Sequence, residues 1–90
     1  MAEGAEPYRV VLRPAAARDL RNLPRDVVRR IDPRIASLAV DPLPRGAVKL
    51  AGEESLYRIR VGDYRIIYEK NDALRLVTIA RIRHRRDVYR

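Results

Sequence analysis

The feature that most constrains the fold is a pair of apolar segments, Leu56–Val61 and Tyr64–Lys70, separated only by Gly62 and Asp63. Both segments are rich in β-branched and aromatic residues, which favour strands. A two-residue linker with glycine at its first central position is typical of a tight β-hairpin turn. Such a turn determines the pairing of the two strands, and the pairing determines which side chains share each face of the sheet.

The predicted hairpin divides its side chains into an apolar face and a basic face. The predicted cross-strand pairs are Val61 with Tyr64, Arg60 with Arg65, Ile59 with Ile66, Arg58 with Ile67, and Tyr57 with Tyr68. Alternation places Ile59 and its aromatic and aliphatic neighbours on the core face, and Arg58, Arg60 and Arg65 on the other. Like charges directly opposite each other destabilise a sheet, so this arrangement in a small domain indicates a face that binds an anion.

The segment before the hairpin contains a strand and two helices. Tyr8–Leu12 has the composition of a strand and is expected at the edge of the sheet. Pro14 suits the first turn of a helix, and the Leu23-Pro24 step is predicted to end that helix and begin another. Pro33 is expected to interrupt and kink the second helix. The apolar stripe of the second helix comprises Val28, Ile31, Ile35 and Leu38.

After the hairpin, a turn at residues 70–73 is predicted to lead into a third antiparallel strand, Leu74–Arg83. In that register Arg65 faces Thr78. The same open face is predicted to continue through Ala80 and Ile82.

These elements predict an α+β fold in the order β-α-α-β-β-β: an N-terminal strand, a helical hairpin, and a three-stranded antiparallel meander packed on the helices. The 90 residues are expected to form a single domain, with residues 1–6 disordered.

Basic charge is concentrated in the second part of the chain. Residues 1–55 contain ten Lys and Arg against eight Asp and Glu, whereas residues 56–90 contain ten against four. The last ten residues hold five of the 18 arginines, the only histidine and a tyrosine. Guanidinium groups bind phosphate in a planar, two-pronged manner, so this concentration indicates a nucleic-acid partner.

Composition also excludes several classes of protein. The absence of cysteine excludes a disulfide framework and a thiolate metal site. One histidine and scattered carboxylates leave no metal-ligand cluster, so neither a metal nor a small-molecule cofactor is expected. No apolar run is long enough to span a bilayer, and the N-terminus lacks the hydrophobic segment of a signal peptide. We therefore expect a cytoplasmic protein that does not engage a membrane.

Several segments together resemble a known family. They are Leu23-Pro24, Lys49-Leu50-Ala51-Gly52, Tyr57-Arg58-Ile59-Arg60, Gly62-Asp63-Tyr64-Arg65-Ile66-Ile67-Tyr68 and His84-Arg85-Arg86-Asp87-Val88-Tyr89-Arg90. Over nearly the whole chain this pattern resembles the RelE/ParE superfamily of bacterial toxins, and the RelE branch in particular. The resemblance implies a type II toxin that enters the ribosomal A site and cleaves translated mRNA, in contact with ribosomal RNA. It also implies a cognate antitoxin that wraps the toxin and blocks its basic surface.

The resemblance assigns roles to residues at matching positions. Arg58 and Arg60 correspond to paired basic residues on the second strand. Arg65 corresponds to the arginine that stabilises the reacting phosphate, and Arg85 and Tyr89 to a C-terminal catalytic arginine and tyrosine. The further candidates for RNA binding are Lys49, Arg81, Arg83, Arg86 and Arg90.

RNA can be cleaved without a metal when the 2′-hydroxyl attacks the adjacent phosphorus in line. The enzyme must then neutralise the growing phosphoryl charge and move protons. In well-studied members of the RelE branch the second-strand pair is lysine, and one lysine is credited with proton transfer. Arg58 and Arg60 remain protonated and cannot act as a general base. His84 is the only residue of the type that ordinarily changes charge near neutral pH, and it is therefore the predicted proton carrier.

Two alternatives are compatible with the same sequence. A ParE-like toxin on this fold poisons DNA gyrase by protein–protein contact and does not cleave RNA, and the missing lysines leave room for that function. The other alternative is a protein with little or no cleavage activity, either a weakly active toxin that mainly binds RNA and antitoxin or a plain basic nucleic-acid-binding module.

Overall fold

The computed structural model describes residues 6–50, 52 and 55–88. In chain order the elements are β1 (Arg9–Leu12), α1 (Pro14–Arg21), α2 (Arg25–Ser37), β2 (Val48–Lys49), β3 (Leu56–Val61), β4 (Tyr64–Asn71), β5 (Leu76–His84) and α3 (Arg85–Val88). The five strands form one sheet in the order β1-β5-β4-β3-β2. β1 runs parallel to β5 at one edge, and the other neighbours are antiparallel. The predicted α+β fold and its order are confirmed, with β2 and α3 as short additional elements.

α1 and α2 supply one side of the hydrophobic core. α1 begins at Pro14 as predicted, and Pro24 immediately precedes α2. Within the described residues, neither these helices nor α3 is long and apolar enough to cross a membrane. The buried core joins Ala16 of α1 and the apolar stripe of α2 to the strands. The strand members of the buried core are Ile59, Val61, Ile66, Tyr68, Val77, Ile79 and Ile82.

α2 differs from the prediction in two details. Its buried stripe begins at Val27, and Val28 is only partly buried, because contacts with the sheet follow i+4 spacing from Val27. The interruption predicted at Pro33 is wrong, since α2 continues through it. Pro33 and Arg29, whose carbonyl loses its usual donor, are both exposed, so water can replace the missing bond. The remaining stripe residues are buried as predicted, namely Ile31, Ile35 and Leu38.

The β3–β4 hairpin has the predicted register at all five pairs. Gly62 has a φ of 61°, a left-handed value that suits glycine at the first central position of a type II′ turn. The core face is also confirmed: its four most buried members lie below 8% exposure, and its two outer tyrosines are partly buried against them. The two partly buried members are Tyr57 and Tyr64.

The turn between β4 and β5 lies two residues later than predicted. β4 continues to Asn71, and the turn occupies residues 72–75 instead of 70–73. The Asn71 side chain accepts a hydrogen bond from the Leu74 N–H at 2.9 Å, and Arg75 adopts a φ of 49°. The turn is therefore held by a side-chain cap and a left-handed residue. The polar composition of the segment does not by itself predict the position of such a turn.

The later turn changes the register of β5. Arg65 faces Arg83, and the predicted pairing with Thr78 is wrong. The register shifts at Ala80, which has no partner on β4 and forms a bulge. Beyond the bulge Ile82 is buried in the core at 4% exposure, so its predicted place on the open face is also wrong.

Candidate phosphate-binding site

Three arginines from adjacent strands lie side by side on the sheet face away from the core. Arg60 of β3 faces Arg65 of β4, which in turn faces Arg83 of β5. Neighbouring strands lie about 4.8 Å apart, so these three residues, here called the arginine row, place like charges directly opposite each other on adjacent strands. Within the described residues, neither Arg60 nor Arg65 has a carboxylate within ion-pair distance, and Arg83 has only Asp87, at 4.0 Å.

A cavity of about 260 Å³ opens at the end of the hairpin, lined by Arg60, Gly62, Asp63, Arg65 and Arg85. The backbone N–H of Arg85 donates to the Asp63 carbonyl at 2.7 Å, and its guanidinium lies 3.7 Å from the Asp63 carboxylate. The turn that pairs the strands thus also positions the first residue of α3. The Nε of Arg65 is buried and has no hydrogen-bond partner within the described part of the chain. This cavity presents three guanidinium groups, a donor set suited to a phosphate.

His84 lies on the other side of the sheet from the arginine row. It faces Tyr64 in register, and the two rings meet edge-on with centroids 4.9 Å apart. The Arg86 N–H donates to His84 Nδ1 at 3.1 Å, so in the neutral ring the proton lies on Nε2. A second recess of about 410 Å³ is lined by Asp63, His84, Arg85 and Arg86. Because the two recesses share Asp63 and Arg85, His84 approaches the arginine row around the end of the sheet.

The other predicted site residues are dispersed. Arg58 lies on the same face as the arginine row, two residues before Arg60 on β3. Lys49 faces Tyr57, which places it on the helix side of the sheet. Arg86 is exposed beside His84. Two predicted residues lie outside the described part of the chain, namely Tyr89 and Arg90.

The guanidinium of Arg81 is engaged by a carboxylate of α1. Arg81 Nε and Nη2 donate to the two oxygens of Asp19 at 2.8 and 3.2 Å, and the Ile82 N–H donates to the same carboxylate at 2.9 Å. Burial opposes ionisation of Asp19, but these hydrogen bonds outweigh it and hold the pKa of Asp19 below its ordinary value. The same pair raises the pKa of Arg81. The Arg81 guanidinium is therefore already paired with the Asp19 carboxylate before any ligand binds.

Comparison with known proteins gives the family. A model described as the ParE toxin of type II toxin–antitoxin systems, parDE, matches residues 10–89. The chain belongs to the RelE/ParE superfamily of toxins. This toxin is 33% identical over 85 residues to toxin RelG of Mycobacterium tuberculosis, covering 93% of this chain and 98% of the relative.

Solved structures place the toxin beside RelE proteins. An archaeal RelE–RelB complex from Pyrococcus horikoshii matches with a TM-score of 0.78 and 33% identity, covering 88% of this chain and 96% of that one. The RelBE2 toxin–antitoxin complex of M. tuberculosis matches with a TM-score of 0.77 and 31% identity, covering 87% and 98%. These matches confirm the superfamily and its RelE-like branch.

In this RelE/ParE toxin, two features of the site were not predicted from sequence. Arg83 was assigned to general RNA binding, because the predicted register did not bring it next to Arg65. Arg30 of α2 is not among the predicted site residues, yet its guanidinium rests against Gly62, with Cζ 3.3 Å from the position that a Cβ would occupy. Neither contact has a local sequence signal, since each joins residues far apart in the chain.

Proposed function

We propose that this toxin is a ribosome-dependent mRNA endoribonuclease, and that the arginine row together with Arg85 binds the phosphate under attack. The observation that carries the proposal is the row itself. Three like charges on adjacent strands oppose folding, and two of them, Arg60 and Arg65, line a cavity together with Arg85. An anionic ligand explains this placement better than the stability of the sheet does. RNA supplies that anion at every nucleotide.

The proposed reaction needs no group beyond the chain's own side chains and the RNA. The 2′-hydroxyl attacks the adjacent phosphorus, the bond to the 5′-oxygen of the next nucleotide breaks, and a proton moves from the attacking oxygen to the leaving oxygen. Arg65, Arg83 and Arg85 neutralise the charge that grows on the phosphoryl oxygens. A donor of this kind typically lowers a barrier by about 3 kcal/mol.

The remaining predicted residues have distinct roles in this proposal. Arg60 binds the same phosphate from β3, and Arg58 holds the neighbouring stretch of RNA backbone. His84 is the proton carrier at the shared end of the two recesses. Tyr89 stacks on an unpaired base or contacts the scissile phosphate. Arg86, outside the cavity, adds binding charge, as does Lys49 from the edge strand, and Arg90 is a further source of binding charge.

We further propose that a cognate antitoxin covers this basic face. The M. tuberculosis and P. horikoshii structures that this chain resembles are toxin–antitoxin complexes. A segment that shields the arginine row with carboxylates would offset its internal repulsion and block RNA in one step. The toxin would then act in the cytoplasm once the antitoxin is lost, at the A site of ribosomes carrying mRNA.

Primer extension on a translated mRNA, with purified toxin and ribosomes, tests this function. We expect cuts that require ribosomes and that weaken when the arginine row is altered. The matched control is Arg45→Met, which removes one exposed charge from a loop outside the site. The match to a ParE toxin model favours one alternative, inhibition of DNA gyrase. Gyrase-linked DNA breaks with no RNA cuts would support that alternative and contradict cleavage.

A further inference from the structure

The second half of β5 lies at an edge of the sheet that none of the described strands covers. β1 pairs with β5 only from Leu76 to Ile79, and the Arg13 N–H then donates to the Ile79 carbonyl at 2.9 Å as the chain enters α1. The bulge at Ala80 follows directly. Beyond it, the backbone donors of β5 that face away from β4 need another partner, because unpaired edge groups are costly when shielded from water.

Asp19 supplies that partner from α1. Its carboxylate accepts the Ile82 N–H at 2.9 Å and both prongs of the Arg81 guanidinium, at 2.8 and 3.2 Å. The Asp19 side chain is only 18% exposed. A two-pronged ionic pair that also accepts a backbone donor restricts both the position and the direction of β5 just after the bulge.

A second pair of contacts holds the end of β5. The His84 N–H donates to the Asp87 carboxylate at 3.2 Å, and the Arg85 N–H donates to the Asp63 carbonyl at 2.7 Å. Along the chain, Arg83 lies between the residues that Asp19 binds, Arg81 and Ile82, and the residues held at the end of β5, His84 and Arg85. The position of Arg83 beside Arg65 therefore depends on contacts on both sides of it.

We propose that Asp19 is a positioning residue for the cleavage reaction, holding β5 so that Arg83 and Arg85 lie beside Arg65. The inference rests on the proposed function. Asp19 lies on α1 and takes no part in lining either recess, so it acts through the strand. Arg81 also acts through Asp19, and it does not contact RNA.

Single-turnover cleavage with saturating ribosomes tests the role of Asp19. We expect Asp19→Ala to lower the cleavage rate by about 10²-fold, since a displacement of about 1 Å at a reacting phosphate has an effect of that size. Ribosome affinity should change less than about threefold, because no RNA contact is removed. Asp19→Asn should fall between, since its amide oxygen still accepts the Ile82 N–H. Asp32→Ala, which removes an exposed carboxylate from α2, is the matched control.

A double-mutant cycle with Arg81→Leu separates positioning from RNA contact. Arg81→Leu should slow cleavage in the wild-type background and have less than about a twofold further effect once Asp19 is alanine. An equal loss in both backgrounds, or a matching loss of ribosome affinity, would show that Arg81 contacts RNA and would overturn the proposal.

Amide hydrogen exchange of the free toxin gives a readout without RNA. In Asp19→Ala the Ile82 and Arg83 amides should exchange faster, and in Asp19→Asn less so, while the Ile66 amide on β4 stays protected. Uniform acceleration would mean that Asp19 only stabilises the whole fold, and no acceleration at Ile82 would mean that β5 does not depend on it. Either result contradicts positioning. A wild-type toxin that cuts no RNA would instead contradict the proposed function. The exchange measurement is made on the free toxin, so its outcome does not depend on RNA cleavage.

Discussion

At the scale of single residues, we expect Arg65 to have opposite effects on activity and on stability. It lies between Arg60 and Arg83, and its buried Nε has no partner among the described residues. We expect Arg65→Met, which keeps the aliphatic stem, to lower cleavage by about 10²- to 10³-fold. The same change should raise the free energy of unfolding by about 0.2–1 kcal/mol, because it relieves like-charge repulsion.

Cleavage assays and urea unfolding measure the two effects on one protein sample. Arg45→Met is the matched control and should alter neither. A variant of Arg65 that loses both activity and stability would show that its guanidinium supports the fold, and the anion-binding explanation of the arginine row would fail.

His84 is the second residue whose role is testable alone. Its Nδ1 accepts the Arg86 N–H, its ring lies edge-on to Tyr64, and it lines the recess that shares Asp63 and Arg85 with the phosphate cavity. We expect His84→Gln to reduce single-turnover cleavage by about 10²-fold or more, the usual size of a general acid–base effect, with ribosome association intact. Cleavage at the wild-type rate would remove His84 from the mechanism.

At the scale of elements, the sequence predicts the register of two strands only where the turn that joins them has a recognisable signature. Gly62 and Asp63 leave a single compact way to connect β3 and β4, so the hairpin register and the pairing of Arg60 with Arg65 follow from local pattern. The β4–β5 turn has no such signature. Its position depends on the Asn71 cap and on Arg75, and the bulge at Ala80 adds a further shift. The contribution of β5 to the site, including Arg83, therefore requires the structure.

Tyr68 links a strand to the loop that precedes β2. Its side chain is fully buried, and its hydroxyl donates to the Pro42 carbonyl at 2.7 Å. Burial is the main reason that the pKa of Tyr68 is raised, from 10.0 to about 12. Because the pKa of Tyr68 is higher in the folded protein than in the unfolded chain, the stability that the neutral hydroxyl contributes is fully present below about pH 10. That contribution is lost as the pH rises toward 12.

We expect Tyr68→Phe to lower the free energy of unfolding by about 1 kcal/mol at pH 7, the usual net value of one hydrogen bond. The difference from the wild type should then shrink between pH 10 and pH 12, because the Tyr68 phenol ionises in the unfolded wild type at a pH where it is still neutral in the folded protein. Urea unfolding across this range measures it, with Tyr57→Phe as the matched change on the adjacent strand. A difference that stays constant to pH 12 would show that burial does not suppress ionisation of this hydroxyl.

At the scale of the whole molecule, most of the net charge belongs to the part of the chain that forms the hairpin, β5 and α3. Residues 56–90 contain ten Lys and Arg against four Asp and Glu, out of a net charge of +8 for the chain. The helices α1 and α2 instead carry both arginines and acidic residues. One of these acidic residues, Asp19, is paired with Arg81 within the protein. The fold thus separates a mixed-charge helical layer from a strongly basic sheet face, which is where a polyanion gains most from binding.

This separation predicts that salt sensitivity depends on where a charge lies and not on net charge alone. Association is measured with ribosomes whose A-site codon carries 2′-O-methyl groups, so that the attacking hydroxyl is blocked and only binding is observed. For single-stranded RNA, each phosphate contact contributes about 0.7 to the slope of log affinity against log salt. Arg83→Met should therefore reduce the magnitude of the slope by about 0.7, whereas Arg45→Met, with the same loss of net charge, should leave it unchanged. Equal slopes for the two variants would mean that the toxin binds through its overall charge, and that the arginine row does not contact the RNA backbone.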